Sequence, residues 1–298
     1  MQEKEYKVLA RCNASFAIDL CRKLWNDRDN LVISPFSIAT VAALMYAGSR
    51  GNTRQQIAKV MHLEFEEKEL HAAFGVLNMF INKPWARQNY LCAANAIWIC
   101  GGRTLSEGFR TLATTHYESH VVEEKEGQSA DATKREINDW IANKTKGMIV
   151  DLLEELDQQT LFMLISAICF QDDWRSAFKK AETREELFHL GSDSKIEVPM
   201  MRQAGKFRYA ESGDLKVLDL PYMSNNTSLQ IFLPKAIDGI IDRSRKNAIS
   251  GQRKRQLRLL DASPQFRLGS CQLPELFLQV FLELSQIVRS PVGQLAFQ

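Results

Sequence analysis

Three observations predict an α+β fold. Helical periodicity dominates the first part of the chain, two long and nearly unbroken apolar runs lie within it, and short strands separated by turns fill the stretch after Trp174. Helices first and mixed strands later, without regular strand-helix-strand alternation, argue against a doubly wound parallel sheet. No internal repeat interrupts this order.

Val8, Leu9, Cys12, Phe16, Leu20 and Leu24 recur at three- and four-residue spacing and give an opening helix one apolar face. Leu31 to Ser37 reads as a short β-rich run ending on Ser34 and Pro35, and serine at the N-cap with proline at the first helical position starts a helix well. The helix from Ile38 to Tyr46 is small and apolar on nearly every side, which predicts burial all round, and Gly48 ends it. Thr53 to Gln56 has the capping-box pattern and opens a helix through Met61. Tyr90 to Cys100 and Leu161 to Phe170 are apolar almost throughout, as strands covered on both faces are. Between them lie helical patterns at Ser106 to His116 and Ala130 to Asn143. Short strands follow at Glu185 to His189, Lys195 to Val198, Lys206 to Tyr209, Val217 to Leu220 and Leu229 to Leu233.

With 298 residues, 45% of them hydrophobic, the chain buries a large core. A net charge of +2 provides no global field for nucleic acid or an anionic membrane. The charge is unevenly spread: residues 242–298 carry nine Lys/Arg against four Asp/Glu, and residues 1–241 carry 29 against 32. That shift divides the chain into a body, 1–241, and a tail, 242–298. Met1 to Tyr6 is charged and leads straight into a helical pattern, without the apolar stretch of a secretory signal. The expectation is a cytoplasmic chain, the alternative an extracellular one, in which case the sequons at Asn13, Asn143, Asn225 and Asn226 matter. Cys12, Cys21, Cys92, Cys100, Cys169 and Cys271 are scattered without a C-x-x-C pair and read as buried thiols rather than disulfides or metal ligands. No apolar run approaches the roughly 20 residues of a membrane span, and nothing calls for a cofactor.

Nine short motifs stand in one order over more than 200 residues: N-L-V-I-S-P-F-S-I at 30–38, G-N-T at 51–53, A-A-N-A-I-W-I at 93–99, I-N-D-W-I at 137–141, T-K-G-M-I-V-D-L-L at 145–153, W-x-x-x-F at 174–178, V-P-M-M at 198–201, L-D-L-P-Y at 218–222 and I-F-L-P at 231–234. Over Phe16 to Pro234 the chain closely resembles the serpin family, in its intracellular, ovalbumin-like branch. The resemblance implies three β-sheets and about nine helices held in a metastable state. It also implies suicide inhibition of serine or cysteine endopeptidases, in which an exposed reactive loop is attacked and then inserts into the central sheet as an added strand. Such a protein performs no catalysis of its own. By position, Ser34 and Ser37 match the family's shutter hydroxyls beneath the central sheet, and Trp174 matches its breach tryptophan. Ser34 and Ser37 also read simply as a helix cap and a first-turn serine, and Trp174 as a buried aromatic. Two departures stand out. The shutter asparagine of the third strand is Ser166 here, with one fewer donor, and Gln171-Asp172-Asp173 precedes the tryptophan in place of Lys-Gly.

After Ile240 the motifs stop. The remaining central-sheet strands, the acidic hinge, the reactive loop and the closing hydrophobic strands are not recognisable, so the expectation is an incomplete serpin fold and a non-inhibitory chain. Glu123 to Ala132 imitates a hinge by composition but precedes a helix, and Ser263 to Leu276 faintly echoes a late family strand. Arg243 to Lys246 and Arg253 to Arg255 form two basic clusters, read as a solvated segment rather than a specific nucleic-acid site, and Leu276 to Val288 carries one apolar helical face. Uncovered apolar surface on an incomplete sheet predicts aggregation or chaperone binding. The competing function is a binding scaffold or decoy that uses the basic tail. A hydrolase is disfavoured because His62, His71, His116, His120 and His189 sit in no motif with a serine or cysteine, and G-x-S-x-G does not occur.

Overall fold

The structure, a computed structural model, describes residues 3–25, 31–64, 66–83, 90–189, 195–213, 215–223, 227–235 and 277–280. They fall into two compact units, the first built mainly from Ile33–Gln171 with the start of the opening helix, the second mainly from the described residues after Gln171.

In the first unit, helix α1 (Glu3–Leu24) is followed by α2 (Pro35–Gly48). Leu31 to Ile33 are irregular rather than a strand, because Ser34 takes the N-cap and its Oγ accepts from the Ser37 amide at 3.2 Å. Burial of α2 is not complete: Ile38 and Met45 are 39% and 47% exposed, while Phe36, Ala39, Ala43 and Leu44 are enclosed. Helix α3 (Gly51–Val60) starts two residues before the expected capping box. Gly51 adopts a φ of 56°, which glycine tolerates without the Cβ penalty, so the chain turns there and Thr53 lies inside the helix. Helix α4 (Glu67–Asn82) and the four-residue strand β2 (His120–Glu123) carry too little contrast to stand out in the sequence. Helices α5 (Glu107–Tyr117) and α6 (Ala130–Lys144) fall where the pattern places them, and Ser129 caps α6 by accepting from the Ala132 amide.

Helices α2, α4, α5 and α6 pack on a three-stranded sheet of order β2-β1-β3. Strand β1 (Tyr90–Ile99) pairs antiparallel with β3 (Phe162–Gln171) from Tyr90↔Gln171 to Ile99↔Phe162, and pairs parallel with β2. From Leu91 to Ile99 every β1 side chain but the half-buried Cys92 is enclosed, as the unbroken apolar run predicts. Strand β3 is enclosed only in its middle, at Ile165 and Ala167 to Cys169. On one face Trp98, Ala96 and Ile165 pack with Ile137 and Ile141 of α6. Away from β1, no strand pairs with β3 among the described residues.

The second unit holds an antiparallel pair, β4 (Arg184–His189) with β5 (Lys195–Met200), and a meander of order β6 (Arg208–Ser212), β7 (Leu215–Pro221), β8 (Ser228–Pro234), β9 (Phe277–Val280). Leu218, Leu220 and Ile231 form its small core, flanked by Trp174, Phe178, Phe207 and Leu229. Over Phe277–Val280 the β9 pairing corrects the helical reading, and the rest of the Leu276 to Val288 stretch lies outside the described residues. Residues 277–280 run antiparallel to β8, from Phe232↔Phe277 to Leu229↔Val280. A short apolar run is ambiguous between helix and strand, and a neighbouring open strand edge decides it by satisfying the backbone. The basic clusters and Ser263 to Leu276, Cys271 among them, lie outside the described residues.

Candidate functional site

Ser34, Ser37 and Thr40 recur every third residue and therefore share one side of α2. All three are buried, and α2 packs against β3. The Ser34 hydroxyl donates to Ser37 Oγ at 3.0 Å while accepting the Ser37 amide, so the capping role and the buried hydroxyl pair are one arrangement. Ser166 sits on β3 directly opposite Asn95 of β1. The Ser166 Oγ is shielded from solvent and meets no partner among the described residues, as do Thr40 Oγ1 and Asn95 Oδ1. The structure thus joins Ser34 to Ser37 but does not bond Ser166 to either. The short Ser166 hydroxyl does not reach a partner among the described residues.

Sequence reasoning missed a second polar group in the same unit. Asn95 Nδ2 donates to Asn78 Oδ1 at 3.2 Å and to the Tyr117 carbonyl at 2.9 Å, and Asn78 Nδ2 donates to the Phe74 carbonyl at 3.0 Å. These bonds tie β1 to α4 and to the end of α5. Gly75 lets α5 approach, because a Cβ there would meet the His116 backbone at 3.2 Å. His71 Nδ1 lies 2.6 Å from the Tyr117 hydroxyl. Burial holds His71 down to about 4, well below an ordinary histidine, with Glu67 opposing that shift, and burial also raises Tyr117. His71 is therefore neutral near pH 7 and shares a hydrogen bond through Nδ1 with the Tyr117 hydroxyl, while its Nε2 faces Glu67 Oε1 at 3.9 Å, beyond hydrogen-bond range. Arg54 pairs with Glu67 and lies 4.3 Å over the Tyr46 ring. The sequence does carry a signal: a lone asparagine in the apolar run of β1, and a histidine and an asparagine seven residues apart in α4. A phenol enclosed with a neutral imidazole gives no nucleophile aimed at solvent, so this group organises the core rather than performing chemistry.

In the second unit, considered by itself, Trp174 stacks on Tyr222 with ring centres 4.5 Å apart and planes at 14°, and meets Phe178 edge-on at 5.9 Å. The backbone reinforces the stack: Trp174 and Tyr222 form an antiparallel bridge, Arg175 N donates to the Pro221 carbonyl, and Met223 N donates to the Asp173 carbonyl at 2.7 Å. Trp174 is half-buried on the face of its own small core.

A β2-β1-β3 sheet under capped helices and a separate meander carrying the Trp174–Tyr222 bridge define a mixed α+β body. The serpin (serine protease inhibitor) family profile matches residues 11–290, and the chain belongs to the serpin family. An uncharacterized serpin-like protein of Thermococcus kodakarensis is 30% identical over 97% of this chain and 68% of its own. Leukocyte elastase inhibitor of Equus caballus is 36% identical over 77% of this chain and 62% of its own. Among solved structures, a cleaved Serpin 42Da superimposes with a TM-score of 0.74 at 28% identity, covering 81% of this chain and 66% of that one. The chain thus spans about two thirds of the length of the relatives it matches. The matched span runs past Ile240, where recognisable motifs end. Among the described residues no helix is long and apolar enough to cross a membrane.

Proposed function

We propose that this 298-residue chain is a cytoplasmic, ovalbumin-like serpin body that does not itself trap proteases. The observation that carries this reading is β3: it pairs with β1 along ten residues, while its other side meets no strand among the described residues. That side is where the resembled inhibitors add their cleaved loop, and the sequence contains no recognisable acidic hinge or small-residue loop to supply the strand. Ser34, Ser37 and Ser166 act in this proposal as the hydroxyl base of β3, and Trp174 as the aromatic cap of its own meander. That Ser166 Oγ meets no partner among the described residues supports looser control of sheet opening than an asparagine would give. Leu161 and Phe162 at one end of β3, with Val150 and Leu152, are about half exposed and support self-association or chaperone capture.

The test is denaturing electrophoresis after mixing the chain with trypsin-like, elastase-like and papain-like proteases at equal molar ratio. Fragments without a covalent complex are expected. A band at the summed mass that survives denaturation contradicts the proposal and assigns the chain its own inhibitory loop.

A further inference from the structure

Cys92 of β1 and Cys169 of β3 are register partners in the antiparallel ladder, so their side chains leave the sheet on the same face. An independent observation agrees. Cys92 Sγ donates to the Lys144 carbonyl at 3.7 Å, and the Thr145 side chain lies close enough to the Cys169 thiol to oppose the upward shift that burial causes. Lys144 and Thr145 are neighbours at the C-terminal end of α6, so both sulfurs converge beneath one helix end. Thr145 is fully buried and fixed, donating to the Ile141 carbonyl at 2.8 Å and accepting the Ile149 amide at 3.1 Å. The two cysteines differ in access: Cys92 is half-buried and Cys169 is enclosed.

We infer that Cys92 and Cys169 form a redox-responsive dithiol, which thiol–disulfide exchange with a small disulfide such as glutathione disulfide converts to a reversible β1–β3 cross-strand disulfide. Directly opposed residues place their Cβ atoms about 4.5–5.5 Å apart, against about 3.5–4.5 Å in a disulfide, so closure needs a shift of up to about an ångström. A bond formed under that modest distortion is more readily reduced than a relaxed structural one, which suits a switch rather than a permanent staple.

The exchange balances in two steps. The Cys92 thiolate attacks one sulfur of glutathione disulfide; the Cys92–glutathione bond forms, the glutathione S–S bond breaks, and the departing glutathione thiolate takes up the proton that Cys92 released. The Cys169 thiolate then attacks the Cys92 sulfur of this mixed disulfide and expels the second glutathione, which takes the proton from Cys169. Two protein thiols are oxidised and one glutathione disulfide is reduced to two thiols. Burial first, and the neighbouring Cys92 second, push Cys169 up to about 12, so closure is the slow step and quickens as pH rises. The product ties β1 to the strand whose other side meets no partner among the described residues, and it removes the Cys92 hydrogen bond from the end of α6.

The test treats the full chain with glutathione disulfide and maps its peptides without reduction. The expected product joins the Cys92 and Cys169 peptides. Cys169→Ser stops at a glutathione adduct on Cys92, and Cys92→Ser leaves Cys169 unmodified. An adduct that persists on Cys92 of the unaltered chain, a bond from either cysteine to another, or no reaction at either overturns the inference. Phenylarsine oxide, which needs two adjacent thiols, gives a readout that requires no oxidation. One equivalent should bind, be displaced by a dithiol but not a monothiol, and be lost in either serine variant. Retention in both variants overturns the pairing.

Discussion

In residues 33–171 the core is threaded by hydrogen-bonded polar side chains, whereas in the second unit the core cluster is aliphatic and aromatic. The first unit encloses His71, Asn78, Asn95, Thr133 and Thr145 among Phe74, Trp98 and Tyr117. The second stacks Trp174 on Tyr222 over Leu218, Leu220 and Ile231, and carries ion pairs such as Arg202 with Glu186 and Lys235 with Glu211. A polar group enclosed with its partners permits one arrangement, because any other strands a donor or acceptor at roughly 1–3 kcal/mol each. An apolar stack tolerates sliding and repacking. The first unit is thus built for a single register and the second for adaptable packing.

The comparison is broken most severely by truncation. Trp98→Ala removes an indole that is 1% exposed between α6 and β1, and a loss of about 3–5 kcal/mol is expected in chemical unfolding of dilute monomer. Trp174→Ala, at a half-buried ring, should cost clearly less. Equal losses at the two positions erase the distinction.

Acid attacks the first unit through His71. His71 binds its proton at about 4 in the folded chain and near 6.5 when unfolded, so the unfolded state holds more protons between those values. The stability tied to its neutral form is complete above about pH 6.5 and is lost as pH falls toward 4, by up to about 3 kcal/mol. Glu67, Arg54 and His116 face the same ring, so the diagnostic is a difference. His71→Gln should flatten the pH dependence of unfolding over that window, and an unchanged profile removes His71 from the account.

A smaller effect sharpens the same point. Asn95→Ala leaves Asn78 Oδ1 and the Tyr117 carbonyl without their donor, for an expected loss of about 1–3 kcal/mol at nearly unchanged volume elsewhere. The unfolding midpoint measures it, with Asn78→Ala in the same background to read the coupling between the two. Additive losses would show that the pair does not act as a unit.

Much of the fold was legible because burial imposes pattern. The unbroken apolar runs of β1 and β3 and the Ser34 cap lie where the sequence places them. What escaped depends on partners distant in sequence. Strand β2 has four residues and exists because β1 offers it an edge, and β9 is a strand because β8 does. The polar network was illegible for the same reason: Asn95 and Asn78 are ordinary residues until the fold sets them 3.2 Å apart. Ser34 and Ser37 were readable as a cap and are a buried hydroxyl pair as well, while Ser166 stands opposite Asn95 without reaching a partner among the described residues.

Native-state hydrogen exchange, resolved by residue, tests the contrast most directly. If polar cross-links make the first unit the rigid one, amides of Leu91 to Ile99 and Met163 to Phe170 will be the last to exchange, and those of β6, β7 and β8 will exchange through openings of lower free energy. Amides of β7 and β8 that outlast those of β1 and β3 would contradict the account.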